Sequence, residues 1–150
     1  MRPMKELPDV MFGWTKSNDE IGGFSLEKHD TPTPGKGEVL IKTHSTSICG
    51  TDVHIWKWDD WAKENVPLGT ITGHETCGVI VAVGPGVSTH TIGDKVSIEC
   101  HLACWNCPRC DEGNAHICEN GEIFGVHSNG AFAPFFTIPA INARKLPSNL

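Results

Sequence analysis

The chain carries the stretch CWNCPRC, Cys104–Cys110, followed by a further cysteine at Cys118. This C-x2-C-x2-C-x7-C spacing gathers four thiols in one short segment, and four thiolates complete a closed, tetrahedral zinc site of the structural type. The intervening residues show no apolar period, so no hydrophobic core of its own can order this segment. Zinc binding of this kind contributes on the order of 10–16 kcal/mol. We therefore predict a lobe ordered by structural zinc on Cys104, Cys107, Cys110 and Cys118.

Two other chemistries of four cysteines remain open at this point. An iron–sulfur cluster takes four thiolates at a similar C-x2-C-x2-C spacing. Disulfides suit a secreted chain, but the first residues, MRPMKE, contain no apolar segment of a secretory leader. Structural zinc is the preferred interpretation.

Length and charge limit the classes of function. The chain has 150 residues, which predicts one domain over residues 1–150. Its net charge of −6 argues against a nucleic acid or an anionic membrane as partner, because both require a basic surface. Seven cysteines without a secretory leader indicate a reducing, cytoplasmic location.

Short segments of alternating polarity, separated by glycine and proline turns, predict a mainly β domain. The clearest is Glu38–Ile48, which should present Val39 and Ile41 on one face and Leu40 on the other. The other predicted strands are Val10–Trp14, Phe24–His29, Thr76–Val83, Lys95–Glu99, Glu122–His127, Ala131–Pro139 and Asn142–Leu146. With short helices after Cys49 and in the zinc lobe, the pattern indicates a β-barrel-like or sandwich fold.

A second group of candidate metal ligands is Cys49, His74 and Glu75. Thiolate and neutral imidazole are zinc ligands, and a catalytic zinc keeps three protein ligands and one open position. Asp52 could accept a hydrogen bond from the second ring nitrogen of His74. Successive residues of a regular strand point to opposite faces, so His74 and Glu75 can share an ion only if the chain bends there. The alternative is a buried, inert cysteine and a surface His–Glu pair.

The segment after Cys49 departs from β alternation. Asp52 is placed to cap a short helix or turn. Thr51 and His54 follow Cys49 closely enough to move a proton away from a metal site. The segment also contains three tryptophans, Trp56, Trp58 and Trp61. These rings either seal an irregular segment by packing or line a ligand pocket.

Taken together, these motifs resemble the medium-chain zinc-dependent alcohol dehydrogenases. The elements similar to the family's pattern, in chain order, are Cys49, Gly73–His74–Glu75, Gly78, Gly84, Val87, Gly93–Val96 and the four-cysteine segment. The resemblance extends from about Glu38 to Leu146 and implies a GroES-like catalytic barrel with short helices and a structural zinc lobe.

The resemblance also implies roles for the candidate residues. Cys49 and His74 would hold a catalytic zinc, with Glu75 as ligand or close neighbour. Thr51 and His54 would form a proton relay, and the residues on the catalytic side are Thr51, Asp52, His54 and His101. The implied reaction is oxidation of a secondary alcohol with hydride transfer to NAD, in an enzyme expected to be a homo-tetramer.

Within the family, the run Ile48–Trp61, His101 and Ile138–Ala143 are most similar to the branch that oxidises L-threonine. Polyol dehydrogenases of the sorbitol type are the nearest alternative, and either substrate is a small polar secondary alcohol. Two non-enzymatic readings stay open: a truncated GroES-like module that keeps its zinc and binds a partner, and a zinc-lobe nucleic-acid binder. The negative charge disfavours the latter.

Two features depart from the family pattern. Phe132–Ala133 is followed by Pro134–Phe135, where the family usually has Glu and Tyr. Because proline has no N–H to donate, Pro134 should lie at a strand edge or bulge. No G-x-G-x-x-G motif follows a predicted strand. We therefore expect the nucleotide-binding domain to be absent from this chain, and the chain alone not to bind NAD tightly.

Overall fold

The computed structural model describes residues 7–150, so the leaderless start predicted from MRPMKE lies outside the described residues. The strands are β1 Val10–Lys16, β2 Phe24–Asp30, β3 Glu38–Thr46, β4 Thr76–Val83, β5 Lys95–Ile98, β6 His101–Leu102, β7 Glu122–Ile123, β8 Phe135–Pro139 and β9 Ala143–Lys145. The α-helices are α1 Gly50–Lys57, α2 Asp60–Asn65 and α3 Pro108–Asp111, and single 3-10 turns cover Ala115–Ile117 and Ala140–Asn142. The prediction of a mainly β domain with short helices is confirmed.

A five-stranded antiparallel sheet in the order β8-β3-β4-β5-β9 forms the body of the domain. The β3–β4 pair has register shifts between Leu40 and Ile41 and between Thr43 and Ser45. Such bulges increase the local bend and twist, which suits a curled sheet. A β1–β2 hairpin and a small β6–β7 ribbon complete the strand pairing of residues 7–150.

Strand β3 is confirmed, but it is buried on both faces over Val39–Ile41, whereas an alternation of apolar and polar residues predicts one buried face. Val39 and Ile41 belong to one apolar cluster with Ile80, Val96 and Phe136. Leu40 belongs to a different cluster, which contains Met11, Ile71 and Phe135. Truncating a fully buried isoleucine to alanine typically costs about 2–5 kcal/mol, so β3 carries much of the stability of the sheet.

A third apolar cluster supports the helical segment that follows β3. Ile55, Trp58 and Ala62 pack with Val126 beneath α1 and α2. Trp58 ends α1 in the left-handed conformation, with φ 54°. The Nζ of the fully buried Lys16 lies 4.4 Å from the centre of the Trp58 ring, a cation–π contact that links β1 to this segment.

Two predicted strands are four residues shorter than expected. Only Glu122–Ile123 of Glu122–His127 forms a strand, because Val126 N–H and His127 N–H donate back to the Ile123 carbonyl and close a turn. The predicted strand Ala131–Pro139 begins only at Phe135. Before it, the N–H groups of Ala131 and Phe132 donate to the carbonyls of Gly73 and Thr72 instead.

Pro134 lies where the missing N–H predicts. It immediately precedes β8, an edge strand, and its carbonyl accepts from Thr43 N–H at 2.9 Å. The sequence reading missed α2, whose N-terminus is capped by Asp59 through a 3.0 Å bond from Ala62 N–H. It also missed the two-residue strand β6.

Candidate metal sites

The four cysteines of the predicted lobe converge on one point. Their sulfur atoms all lie within 4.8 Å of one another. Three of the separations are 3.4 Å for Cys118–Cys104, 3.6 Å for Cys107–Cys110 and 3.8 Å for Cys107–Cys118. Four sulfurs around zinc at about 2.3 Å are about 3.8 Å apart, so the donor set fits a single tetrahedral ion. A disulfide bond, at about 2.05 Å, is far shorter than these separations.

The thiols of the lobe have divergent acidities. A hydrogen bond from the backbone of Asn106 lowers the pKa of Cys104 to about 6. Burial, together with contacts to Cys107 and Cys118, raises the pKa of Cys110 to about 12. Contacting thiols cannot all ionise without a cation between them, because each thiolate disfavours the next. The lobe therefore has the composition and geometry of a site that a metal cation completes.

The second site is assembled from two segments that are distant in sequence. Cys49 lies at the N-terminus of α1, whereas His74 and Glu75 immediately precede β4. The ligand atoms of the three side chains all lie within 4.8 Å of one another. Gly73, at φ +91°, turns the chain just before His74, so strand alternation does not apply there. The bend required for His74 and Glu75 to share an ion is present.

Asp52 links the two halves of this site. Its Oδ2 accepts from Cys49 N–H at 2.8 Å, and its Oδ1 lies 3.7 Å from His74 Nδ1. The predicted contact to His74 is thus present but longer than a hydrogen bond. Among residues 7–150, neither buried atom of this pair has a hydrogen-bond partner. With Nδ1 facing Asp52, the other ring nitrogen of His74 remains for a metal ion, which would fix the orientation of the ring.

The two carboxylates at this site are tuned in opposite directions. Burial raises the pKa of Asp52, against the opposing effects of the Cys49 N–H bond and the charge of His74. A hydrogen bond from Ser47, at 2.6 Å to Oε2, and the contact with the Cys49 thiol lower the pKa of Glu75. Glu75 is therefore anionic at neutral pH beside Cys49 and His74, as a metal ligand must be.

His74 and Glu75 open onto a cleft of about 660 Å³, the central cleft, formed by residues 45–47, 74–77 and 97–101. His101 lies in the wall of this cleft, where the resemblance placed it. Its ring Nδ1 donates to Glu99 at 2.6 Å. The structure therefore brings a second imidazole to the same cleft as the candidate catalytic metal site.

Thr51 and His54 lie on α1, three residues apart, and do not line the central cleft. His54 is largely exposed, its Nδ1 donates to the Asp59 carboxylate, and the edge of its ring faces Trp61 at 6.3 Å between centroids. The hydrogen bond from His54, followed by that from the Ala62 N–H, lowers the pKa of Asp59. The sequence signal that could have identified Asp59 is its residue type and position: aspartate is a preferred N-cap residue, and Asp59 immediately precedes α2.

Two of the three tryptophans divide between the two interpretations. Trp58 is buried and packs in the cluster beneath α1. Trp56 is half exposed and lines an apolar cavity of about 330 Å³ together with Phe24, Ile48 and Phe132. Packing is therefore the role of Trp58, whereas Trp56 borders a pocket.

A known protein family matches most of this chain. Residues 35–148 match the family model described as the alcohol dehydrogenase GroES-like domain. In residues 7–150, no helix is long and apolar enough to cross a membrane.

Curated relatives share much of this sequence. An L-threonine 3-dehydrogenase of Pyrococcus furiosus is 44% identical over 144 residues, which cover 96% of this chain and 41% of the relative. An L-threonine 3-dehydrogenase of Pyrococcus abyssi is 47% identical over 128 residues, covering 85% of this chain and 37% of the relative. The chain thus spans about two fifths of the length of these relatives.

Solved structures share the fold. A short chain alcohol dehydrogenase from E. coli CFT073, complexed with NADH, matches with a TM-score of 0.83 and 32% identity over 94% of this chain and 40% of that chain. A cobalt- and zinc-bound thermostable alcohol dehydrogenase from Pyrobaculum aerophilum matches with a TM-score of 0.83 and 30% identity over 93% of this chain and 42% of that chain. The prediction of a GroES-like barrel is confirmed by these matches.

Proposed function

The chain belongs to the family of alcohol dehydrogenase GroES-like domains, and we propose that it is the catalytic domain of a zinc- and NAD-dependent dehydrogenase that oxidises L-threonine. The observation that carries the proposal is the convergence of Cys49, His74 and Glu75 at a cleft that also contains His101. The choice of L-threonine is supported by relatives of that name at 44–47% identity.

In this proposal Cys49, His74 and Glu75 hold the catalytic zinc, which when bound would polarise the hydroxyl group of the substrate as a Lewis acid. Asp52 holds the Cys49 backbone and faces Nδ1 of His74, so one carboxylate sets the position of two ligands. Ser47 holds Glu75 through its hydroxyl. These contacts keep the three donors together in advance of metal binding.

In this proposal the proton of the substrate hydroxyl leaves the site through Thr51 and His54. Residues three apart on a helix lie on the same face, so a water molecule between these two side chains would pass the proton from one to the other. Asp59 can only accept a hydrogen bond, so it keeps the proton on Nδ1 of His54 and leaves Nε2 to receive the next one. The exposure of the ring then allows release to solvent.

The remaining parts of the proposal concern organisation. Cys104, Cys107, Cys110 and Cys118 would hold a structural zinc. NAD would bind to a nucleotide-binding domain outside this chain, since no Gly-rich βαβ motif occurs in it. Seven free thiols suit a reducing cytoplasm, and the tetramer is implied by the family resemblance alone.

The test is a comparison of substrates with the complete enzyme. We expect kcat/KM with NAD to be highest for L-threonine, lower for sorbitol and lowest for 2-butanol. A site built for polar substituents leaves buried polar groups unpaired when an alkanol binds. Best activity on sorbitol would establish the polyol alternative, best activity on 2-butanol would refute a polar-substrate site, and no activity would favour a non-catalytic module.

A matched pair of variants separates catalysis from folding. Cys49→Ser should abolish turnover and lose the zinc of this site, whereas Cys77→Ser, a thiol change on β4 that borders the cleft but lies outside every candidate ligand set, should keep its zinc. Calorimetric titration of the 150-residue chain with NAD should show no micromolar binding. Tight binding would mean that the chain contains a cofactor site of its own.

A further inference from the structure

A buried asparagine braces the segment that leaves β5. Asn142 is 4% exposed, and its Nδ2 donates to the carbonyls of Glu99 and His101, at 2.8 Å each. The backbone carbonyl of Asn142 accepts from Glu99 N–H at 2.8 Å. Because both side-chain partners are carbonyl oxygens, only the amide NH₂ group can face them. Asn142 therefore fixes both ends of the three-residue segment 99–101.

Glu99 in turn fixes the His101 ring. Its Oε1 accepts from His101 N–H at 3.0 Å and from His101 Nδ1 at 2.6 Å. These hydrogen bonds, the backbone one first, lower the pKa of Glu99, so it is a carboxylate at neutral pH. A carboxylate only accepts, so Nδ1 carries the proton and a neutral ring presents a lone pair on Nε2. Nε2 has no hydrogen-bond partner within residues 7–150.

The central cleft beside His101 favours one kind of substrate group. Its wall contains the carboxylates of Glu75 and Glu99, and no lysine or arginine of the described chain lines it. Arg144 lines a different cavity, of about 200 Å³, which Glu99, His101 and Asn142 also border. A cleft with this charge favours a cation, and a lone pair on Nε2 favours a hydrogen-bond donor. An ammonium group meets both requirements.

We propose that Glu99 and Asn142 are positioning residues that hold His101 with Nε2 free to accept a hydrogen bond from the ammonium group of an amino-alcohol substrate. The proposal rests on the proposed function, because it concerns the substrate of the same cleft. It also gives a role to the Asn142 motif Ile138–Ala143, which the zinc chemistry does not use.

One other interpretation of this cluster has to be separated from the proposal. The ligand atoms of Glu99, Cys100 and His101 lie within 4.8 Å of one another, so the three could be taken for a metal site. The Glu99–His101 hydrogen bond accounts for two of the three, and the Cys100 sulfur lies 3.7 Å from Nδ1. A metal on Nδ1 would displace the Nδ1 proton that is hydrogen-bonded to Glu99.

The first test measures the tautomer of His101 by nitrogen NMR of the zinc-loaded chain. The His101 signals are assigned by their absence in His101→Gln. We expect the Nδ1–H form in the wild type, its loss in Glu99→Ala, and its recovery in Glu99→Gln, because the glutamine carbonyl still accepts. Glu122→Ala, the same loss of charge on the paired strand β7, should leave the signal unchanged. An Nε2–H tautomer in the wild type, or loss of the Nδ1–H signal with a third equivalent of zinc, would overturn the proposal.

The second test is kinetic and uses four alcohols with the complete enzyme. In Glu99→Ala, KM should rise about tenfold or more for L-threonine and 1-amino-2-propanol, which carry an ammonium group, and little for 3-hydroxybutyrate and 2-butanol, which do not. Glu99→Gln should restore KM, and Asn142→Asp, which offers no donor to the two carbonyls, should resemble Glu99→Ala. An equal rise for all four alcohols would overturn the proposal. Lack of wild-type activity on L-threonine would instead refute the proposed function, while the positioning of His101 is decided by the tautomer.

Discussion

The two candidate metal sites are built in opposite ways. In the lobe, all four ligands come from Cys104–Cys118, a segment without an apolar core. In the second site, Cys49 comes from the start of α1, and His74 and Glu75 come from the approach to β4. The lobe is short-range in sequence, and we expect it to need a metal to be ordered. The second site is long-range and needs the fold to exist first.

This difference predicts opposite dependences. Closing a short loop costs little chain entropy, so one ion can order the lobe by itself. Bringing Cys49 to His74 requires β3, β4 and the hydrogen bonds of Asp52, which the apolar clusters stabilise without an ion. Metal removal should therefore disorder the lobe and leave the second site assembled.

The largest effect is expected for Cys107→Ser. The lobe should lose its zinc and its protection from amide hydrogen exchange over residues 100–123, because binding on the order of 10–16 kcal/mol is what orders it. The control is Cys77→Ser, which removes a half-buried thiol from β4. Metal analysis and hydrogen exchange check both variants. Iron with sulfide in the wild type, or a protected lobe without metal, would contradict the zinc assignment.

The next largest effect is expected for Gly73→Ala, which tests whether the fold makes the second site. A Cβ there would lie 2.5 Å from the Phe132 ring, at a φ of +91° that costs about 1–3 kcal/mol for alanine. Zinc content should fall from two ions per chain to one, with the lobe retained. Gly69→Ala has nearly the same φ, +92°, but nothing within 4 Å of the new Cβ, so it should lose stability and keep both ions.

A smaller effect is expected for Asp52→Asn. The asparagine can still accept from Cys49 N–H, but its amide group no longer favours a proton on His74 Nδ1. Losing such a partner typically weakens metal binding by about 10–100-fold, and only at this site. Competition with a chromophoric chelator measures the affinity, with the exposed Asp60→Asn as control. Equal weakening of both sites would show that Asp52 acts through global stability.

The smallest effect is expected for Asp94→Asn, which touches the sheet and neither metal site. Lys145 at 2.8 Å, then the Thr91 N–H, lower the pKa of Asp94 in the folded chain. A lowered folded-state pKa stabilises above the unfolded value, near 4, and the gain is lost as pH falls through the folded value. Denaturation at pH 7 and at pH 2.5 should show a small loss at pH 7 only. A difference that persists at low pH would mean that packing, not charge, is responsible.

The sequence by itself determined the features that depend on neighbouring residues. The C-x2-C-x2-C-x7-C spacing predicted the lobe because its ligands are adjacent in the chain. The alternation of Glu38–Ile48 predicted β3, because a period of two residues is a local property. The turn at Gly84–Pro85–Gly86 bounded β4 for the same reason.

Only the tertiary structure decided the features that join distant segments. Nothing local in Ala131–Ala133 shows that its N–H groups would donate to the loop at Gly73 rather than extend β8. Likewise, the pairing of Asn142 with Glu99 follows from strand order, which sequence pattern does not specify. A hydrogen bond between residues far apart in the chain exists only after the sheet has packed, so its partners cannot be inferred from either segment alone.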